Sequence, residues 1–219
     1  MKGVLVVGAG GLGSPAAAIL RRAGVARLTL VDPDKIELEN LHRQILFHDD
    51  DVGRTKVDVV SERLGVRVQR LRLDRDNGPA LVADHACVLD GTDSFKDKYL
   101  LNDLCLEASV PLVHAGAAAF RGQVLVVRNG GPCLRCLLPE PPDAGTDECR
   151  LTGIWGPAAG AIAALAAGEV LRILAGKTAG SEVLFADLGT GRLHRSRLAR
   201  RPGCICGERS ALRQNADSC

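Results

Sequence analysis

The chain has 219 residues, a formal net charge of +2, 46% hydrophobic residues and 3% aromatic residues. A nearly balanced charge creates no overall attraction to nucleic acid or to a membrane surface, and so few aromatic side chains leave little for base stacking. The composition therefore describes a soluble globular protein and argues against nucleic acid and membranes as partners.

The first hundred residues alternate between strand and helix patterns. Residues 3–7 and 27–31 are short β-branched strands with a helix at 15–23 between them, and 55–64 predicts a further helix. Strands at 67–73 and 86–90 and a helix at 95–108 follow, then a strand at 111–115. Strands that alternate with helices predict a mainly parallel sheet with helices on both faces.

The pattern changes in the second half of the chain. Residues 123–128 predict a strand, 130–145 a loop rich in proline, glycine and cysteine, and 156–175 a helix. Two short strands at 182–187 and 192–197 are expected to pair antiparallel. We therefore predict an α/β fold, Rossmann-like, with an antiparallel C-terminal extension and a cysteine-rich, zinc-type appendage.

A glycine fingerprint follows the first strand, at Gly8, Gly10, Gly11 and Gly13. Glycines there let the backbone approach a phosphate, and the helix N-terminus that follows favours negative charge. Asp32, at the end of the second strand, is placed to accept hydrogen bonds from ribose hydroxyls. This pattern predicts a nucleotide but fits NAD, FAD or ATP.

Charged residues in the next segments favour a triphosphate. Arg43 can grip phosphate oxygens with two hydrogen bonds, and Lys56 can act as a point charge. Asp93 follows the strand at 86–90, where a carboxylate would reach a ligand crevice and serve Mg²⁺. A second interpretation is that Asp93 caps the helix at 95–108.

Seven motifs occur together in the order seen in the ThiF/MoeB/HesA adenylyltransferases. The chain resembles this family from residue 3 to about 207. These proteins are the bacterial relatives of ubiquitin-activating enzymes. The motifs are GAGGLGS at 8–14, VDPD at 31–34, NLHRQI at 40–45, VGRTK at 52–56, DGTD at 90–93, GPCLRC at 131–136 and GIWGP at 153–157.

The resemblance implies binding of ATP and Mg²⁺, adenylation of a C-terminal Gly-Gly carboxylate and a homodimer. On this template Asp32 would hold the ribose, Asn40, Arg43 and Lys56 would contact the phosphates, and Asp93 would organise Mg²⁺. Family members usually begin with about thirty more residues, including a basic residue that enters the neighbouring subunit's site. Either the true start lies upstream or the protein lacks this contribution, so a cross-subunit arginine is not assigned.

Four cysteines have the spacing of a metal site: Cys133 and Cys136, then Cys204 and Cys206. Four thiolates would form a closed tetrahedral zinc site with a structural role. The family commonly has two Cys-x-x-Cys pairs, and the second pair here is one residue shorter. Free or oxidised thiols are the alternative.

Cys149 stands where some relatives carry a thiol that accepts the activated carboxyl group. The neighbouring Arg150 could lower its pKa and favour the thiolate. A covalent role and an ordinary loop cysteine both remain open.

We therefore predict an adenylation domain at 1–207 and a tail at 208–219. The expected substrate is a ubiquitin-like sulfur carrier of molybdopterin or thiamine biosynthesis, with a separate protein as sulfur donor and the cytoplasm as location. Three alternatives remain: a tRNA-modifying dehydratase of the same family that uses the arginines between 192 and 213, a nicotinamide or flavin oxidoreductase, and a non-catalytic carrier-binding module.

Overall fold

A computed structural model describes residues 2–140, 153–177 and 181–207. The described part contains eight strands that form one sheet. They are β1 (Gly3–Val7), β2 (Leu28–Val31), β3 (Arg67–Gln69), β4 (His85–Asp90), β5 (Leu112–Ala118), β6 (Arg121–Val127), β7 (Glu182–Asp187) and β8 (Arg192–Arg197). Their order across the sheet is β3-β2-β1-β4-β5-β6-β7-β8.

Six α-helices in the described ranges cover the two faces of this sheet. They are α1 (Gly13–Arg22), α2 (Lys56–Leu64), α3 (Gly78–Ala83), α4 (Phe95–Ala108), α5 (Leu134–Leu137) and α6 (Gly156–Leu174). Apolar residues of α1, α2 and α6 fill the core on one face. Residues of α3 and α4, together with Cys133, Cys204 and Cys206, fill the core on the other face. The predicted α/β fold with covered faces is confirmed.

The order of the strands reverses at β1: β2 and β3 lie on one side of it, and β4 to β8 lie on the other. Strands β3, β2, β1, β4 and β5 are parallel neighbours, and β5 through β8 pair antiparallel. Of these antiparallel pairs, the sequence predicted the one between β7 and β8. Because the chain adds strands first on one side of β1 and then on the other, the connections after β1 and β4 diverge. Such a divergence opens a ligand crevice at the carboxyl ends of these strands.

Three elements of the structure differ from the prediction. The strand expected at 67–73 is only Arg67–Gln69, because its single neighbour β2 ends at Val31, the residue paired with Gln69. Helix α3 (Gly78–Ala83) was not predicted, since six residues are too few to show a helical period. The loop expected at 130–145 contains the helical turn α5 in its described part.

Helix α6 is the one helix in the described ranges that is long and apolar enough to cross a membrane by length and composition. It packs against α1 and against strands β4, β5 and β6. Its Glu169 is buried, and Oε1 accepts a 2.8 Å hydrogen bond from Arg195 of β8. The helix therefore packs as a core helix of this sheet.

The contact between Glu169 and Arg195 ties the last strand to this helix. Replacing Glu169 with glutamine should lower the free energy of unfolding by about 1–2 kcal/mol, because a charged hydrogen bond of a buried carboxylate is weakened. The midpoint of thermal unfolding should fall by about 2–8 °C. Glu182 lies 3.9 Å from the same arginine and is 38% exposed, so Glu182→Gln is the matched control. Equal losses of unfolding free energy in both variants would contradict the stabilising role of the Glu169–Arg195 contact.

Candidate functional site

An open cleft of about 1510 Å³ lies at the carboxyl ends of the parallel strands. It is the crevice that the strand order creates beside β1 and β4. Eight of the residues predicted from the sequence line it: Gly8, Gly10, Gly11, Asp32, Asn40, Arg43, Lys56 and Asp93.

The glycine loop at the end of β1 is shaped by close packing. Gly8 has φ +94°, and a Cβ on Gly13 would lie only 1.8 Å from the carbonyl oxygen of Gly8. Gly13 therefore serves the tight turn into α1 rather than the cleft. A Cβ on Gly10 would meet only the Gln44 side chain, at 3.7 Å. Gly10 thus leaves room for another molecule against the backbone.

Asp32 lies at the end of β2 with its carboxylate facing the loop. It accepts hydrogen bonds from the backbone N–H groups of Ala9 (2.7 Å) and Asp34 (2.8 Å). Burial raises its pKa, and the nearby Lys56 ammonium opposes that rise. Lys56 Nζ lies 3.9 Å from Asp32 and 3.2 Å from Asp34. The only buried cation of α2 is therefore held at the cleft by two carboxylates.

Arg43 is held in place by a short relay of side chains. Its Nη2 donates to Asn40 Oδ1 at 2.5 Å, and Asn40 Nδ2 donates to Glu37 Oε2 at 3.0 Å. Asn40 is 9% exposed, and Arg43 is half-buried. These hydrogen bonds fix the guanidinium at the cleft, and among the described residues its other N–H groups have no hydrogen-bond partner.

Asp93 is exposed and lines the cleft. Helix α4 is capped by its neighbour Ser94, whose hydroxyl accepts a 3.0 Å hydrogen bond from the Asp97 N–H. Within the described ranges the Asp93 carboxylate makes no hydrogen bond or ion pair. Its oxygens are hard ligands with no other partner there, and they fit a magnesium ion bound to phosphates.

Residues 2–206 of the chain match the ThiF family. The chain belongs to the ThiF family. This confirms the resemblance inferred from the seven motifs. Relatives named adenylyltransferases, described next, show that the chain is an enzyme of that type.

Three relatives show the range of ThiF-family proteins that are similar to this chain. The SAMP-activating enzyme E1 of Haloferax volcanii is 37% identical over 94% of this chain and 80% of its own length. The sulfur carrier protein adenylyltransferase of Thermus thermophilus is 36% identical over 98% of this chain and 85% of its own. The adenylyltransferase and sulfurtransferase MOCS3 of Sus scrofa is 41% identical over 98% of this chain, which spans 50% of that relative.

Solved structures share the architecture of this ThiF-family chain. The crystal structure of E. coli MccB with ATP superposes with a TM-score of 0.80 at 23% sequence identity. The match covers 94% of this chain and 67% of that one. At this identity the comparison supports the fold.

The four predicted metal-ligating cysteines of this ThiF-family chain meet on the face of the sheet that carries α4. The sulfurs of Cys133, Cys136, Cys204 and Cys206 all lie within 4.8 Å of one another. Four sulfurs at about 2.3 Å from a tetrahedral zinc ion are roughly 3.8 Å apart, so the cluster fits that ion. The shortened Cys-x-Cys pair therefore does not prevent four thiols from converging.

The cluster is anchored to helix α4. The Leu134 N–H donates to Asn102 Oδ1 at 2.9 Å, and Arg135 forms two hydrogen bonds with Asp103 at 3.0 and 2.8 Å. The Arg135 guanidinium also lies 4.7 Å from the centroid of the Tyr99 ring. These contacts fix the first cysteine pair, while the second pair reaches it from the segment after β8.

Cys149 and Arg150 lie outside the described residues, so the covalent role of Cys149 stays a prediction. The arginine-rich segment 192–213 is described as far as residue 207. Its strand β8 pairs only with β7 in the described sheet, and most of its side chains are exposed. That exposure agrees with a solvated basic surface.

A buried polar network beneath the cleft was missed by the sequence analysis. Asp90, at the end of β4, is fully buried and accepts hydrogen bonds from Thr92, from Lys98 of α4 and from His114 of β5. Lys98 Nζ also donates to the Ala115 carbonyl at 2.9 Å. The sequence did show a carboxylate, Asp90, at the end of a buried strand. Its partners Lys98 and His114 lie 8 and 24 residues further along the chain, so no local pattern indicated the network.

Proposed function

We propose that this chain transfers the adenylyl group of ATP to the C-terminal carboxylate of a small ubiquitin-like sulfur carrier that ends in Gly-Gly. The observation that carries the proposal is the convergence of Asp32, Arg43, Lys56 and Asp93 on one cleft beside the glycine loop. The names of the similar relatives support the same class of substrate.

The reaction needs no general base. A terminal carboxylate with a pKa near 3.5 is ionised at neutral pH, so its oxygen can attack the α-phosphorus directly. A new bond forms between this oxygen and phosphorus, the bond from phosphorus to the β-phosphate bridging oxygen breaks, and pyrophosphate leaves. Because nucleophile and target are both anionic, the site must position them and offset their repulsion.

Each residue of the cleft has a proposed task. Gly8, Gly10 and Gly11 let the backbone approach the nucleotide, and Asp32 accepts hydrogen bonds from the ribose. Arg43 and Asn40 bind phosphate oxygens. Asp34 is 56% exposed, so it can leave Lys56 when phosphate oxygens compete for that ammonium.

Asp93 would hold magnesium in this proposal. When bound, the ion would supply positive charge that offsets the negative charge of the phosphates. The exposed position of Asp93 at the cleft leaves its oxygens open to such an ion.

The remaining assignments belong to the same proposal. The adenylation domain spans 1–207 and a tail spans 208–219. The protein works as a homodimer in the cytoplasm, serves molybdopterin or thiamine biosynthesis and receives sulfur from another protein. The four clustered cysteines hold a structural zinc ion, which leaves no position for a catalytic water.

The proposal is tested by ATP–pyrophosphate exchange with a panel of Gly-Gly-terminated carriers. We expect exchange with at least one carrier, and none when its terminal carboxylate is converted to an amide, because the nucleophile is then lost. Carrier binding without exchange would favour a non-catalytic module. Exchange that depends on tRNA rather than on a carrier would favour the dehydratase.

A further inference from the structure

One nitrogen of His114 stands out in the network beneath the cleft. His114 is 2% exposed and lines the cleft, and its Nδ1 lies 2.8 Å from Asp90 Oδ2. The other ring nitrogen, Nε2, is buried, and no hydrogen-bond partner for it exists among the described residues. Buried polar atoms without a partner are rare and costly, so this nitrogen points to a missing one.

The charge of Asp90 decides which kind of partner His114 needs. Burial raises the pKa of Asp90, but the Lys98 ammonium and the bonds from His114 and Thr92 outweigh it and hold that pKa well below its usual range. An ionised carboxylate only accepts hydrogen bonds, so Nδ1 carries the proton. Burial lowers the pKa of His114, and with Lys98 it outweighs the opposite effect of Asp90, so the ring is neutral. Nε2 therefore presents a lone pair, and its partner must be a donor.

The space beside Nε2 is kept open by Gly116. A Cβ on Gly116 would lie 3.7 Å from Nε2 and 3.7 Å from the Gln123 side chain, which is ordinary contact distance. The next residues of β5, Ala117 and Ala118, also line the cleft with side chains no larger than a methyl group. This strip can accept an extended backbone with small side chains.

The position of the strip argues against the nucleotide as the donor. Phosphate oxygens only accept hydrogen bonds, so a lone pair repels them. The ribose is assigned to Asp32 on β2, three strand spacings from β5, or roughly 14 Å. We therefore assign the donor in the half of the cleft above β5 to the amide N–H of a peptide.

We propose that His114 Nε2 accepts a hydrogen bond from a backbone N–H in the last two residues of the substrate's C-terminal tail. This inference rests on the proposed function and makes His114 a substrate-binding residue that orients the tail. Asp90 and Lys98 act through it by fixing the tautomer.

The test combines changes in the enzyme and in the substrate. The carrier accepted in the exchange assay is made by ligation with Gly-Gly, or with N-methylglycine at the last or the penultimate position, which removes one N–H. N-methylation at one of these two positions should lower kcat/KM in the unaltered enzyme. This loss should be about 2- to 13-fold larger in the unaltered enzyme than in His114→Ala. Gly116→Ala, which covers Nε2 without changing His114, should reduce the loss in the same way.

His85 provides the matched control. It is a second buried histidine, at the start of β4, bonded to Leu81 and Thr29. His85→Ala should keep the full methylation loss, which separates substrate binding from a general loss of stability. Binding of ATP with magnesium should be unchanged in His114→Ala and Gly116→Ala.

Three outcomes would overturn the inference. Equal methylation losses in the unaltered enzyme and both variants would show that Nε2 does not meet the tail. A large fall in ATP affinity in either variant would assign Nε2 to the nucleotide. Absence of exchange with every Gly-Gly carrier would remove the proposed function as well, whereas the first two outcomes leave it standing.

Discussion

Asp93→Ala is expected to lower carrier-dependent ATP–pyrophosphate exchange by at least about 100-fold, the size of effect seen when one group that stabilises transition-state charge is removed. The physical reason is that the exposed carboxylate is the proposed magnesium ligand at the cleft. The free energy of unfolding should change by less than about 0.5 kcal/mol. This follows because Ser94, not Asp93, caps helix α4.

Asp84→Ala provides the control for Asp93. Asp84 is an exposed carboxylate at the end of helix α3 and is not part of the cleft lining. Its replacement should leave exchange unchanged. Exchange retained in the Asp93 variant, measured at saturating magnesium, would remove Asp93 from the mechanism and leave the cations as the candidates for charge neutralisation.

Cys204→Ser is expected to reduce bound zinc from about one ion per chain to less than half, because one of four thiolate ligands is lost. Structural zinc sites supply on the order of 10 kcal/mol of binding free energy. If about 4 kcal/mol of this is lost on mutation, the midpoint of thermal unfolding should fall by about 8–16 °C. Metal analysis and thermal unfolding measure the two effects, and a strong chelator should reproduce both in the unaltered protein.

Cys105→Ala is the matched control for the zinc cluster. Cys105 is buried in the same core as the cluster but is not one of its four cysteines. Its replacement should cost stability through packing alone and leave the metal content unchanged. Purified protein with less than about half an equivalent of zinc would instead favour the alternative of free or oxidised thiols.

The cysteine cluster also shows why spacing alone left its geometry open. The sequence indicated two cysteine pairs with different spacings, Cys-x-x-Cys and Cys-x-Cys. Whether the two pairs meet depends on the path of α6, β7 and β8 between them. In the fold, the Sγ atoms of Cys133 and Cys204 lie 3.6 Å apart, and those of Cys136 and Cys206 lie 3.5 Å apart. The convergence is a property of the sheet, which returns the chain after β8 to the face that carries α5.

The sequence by itself determined the Rossmann-like sheet and the family. Those inferences rest on local signals: β-branched runs, a glycine fingerprint and acidic residues at strand ends, each readable within a few residues. It also identified eight of the residues that line the cleft, because the carboxyl ends of parallel strands share one edge of a sheet.

Only the tertiary structure decided which polar groups act together. Asp90, Lys98 and His114 belong to β4, α4 and β5, and neither their pairing nor the buried nitrogen of His114 leaves a pattern along the chain. The physical reason is that burial and hydrogen-bond partners depend on neighbours in space. A sequence shows which side chains can form such bonds, but packing decides which of them remain unpaired and face a ligand.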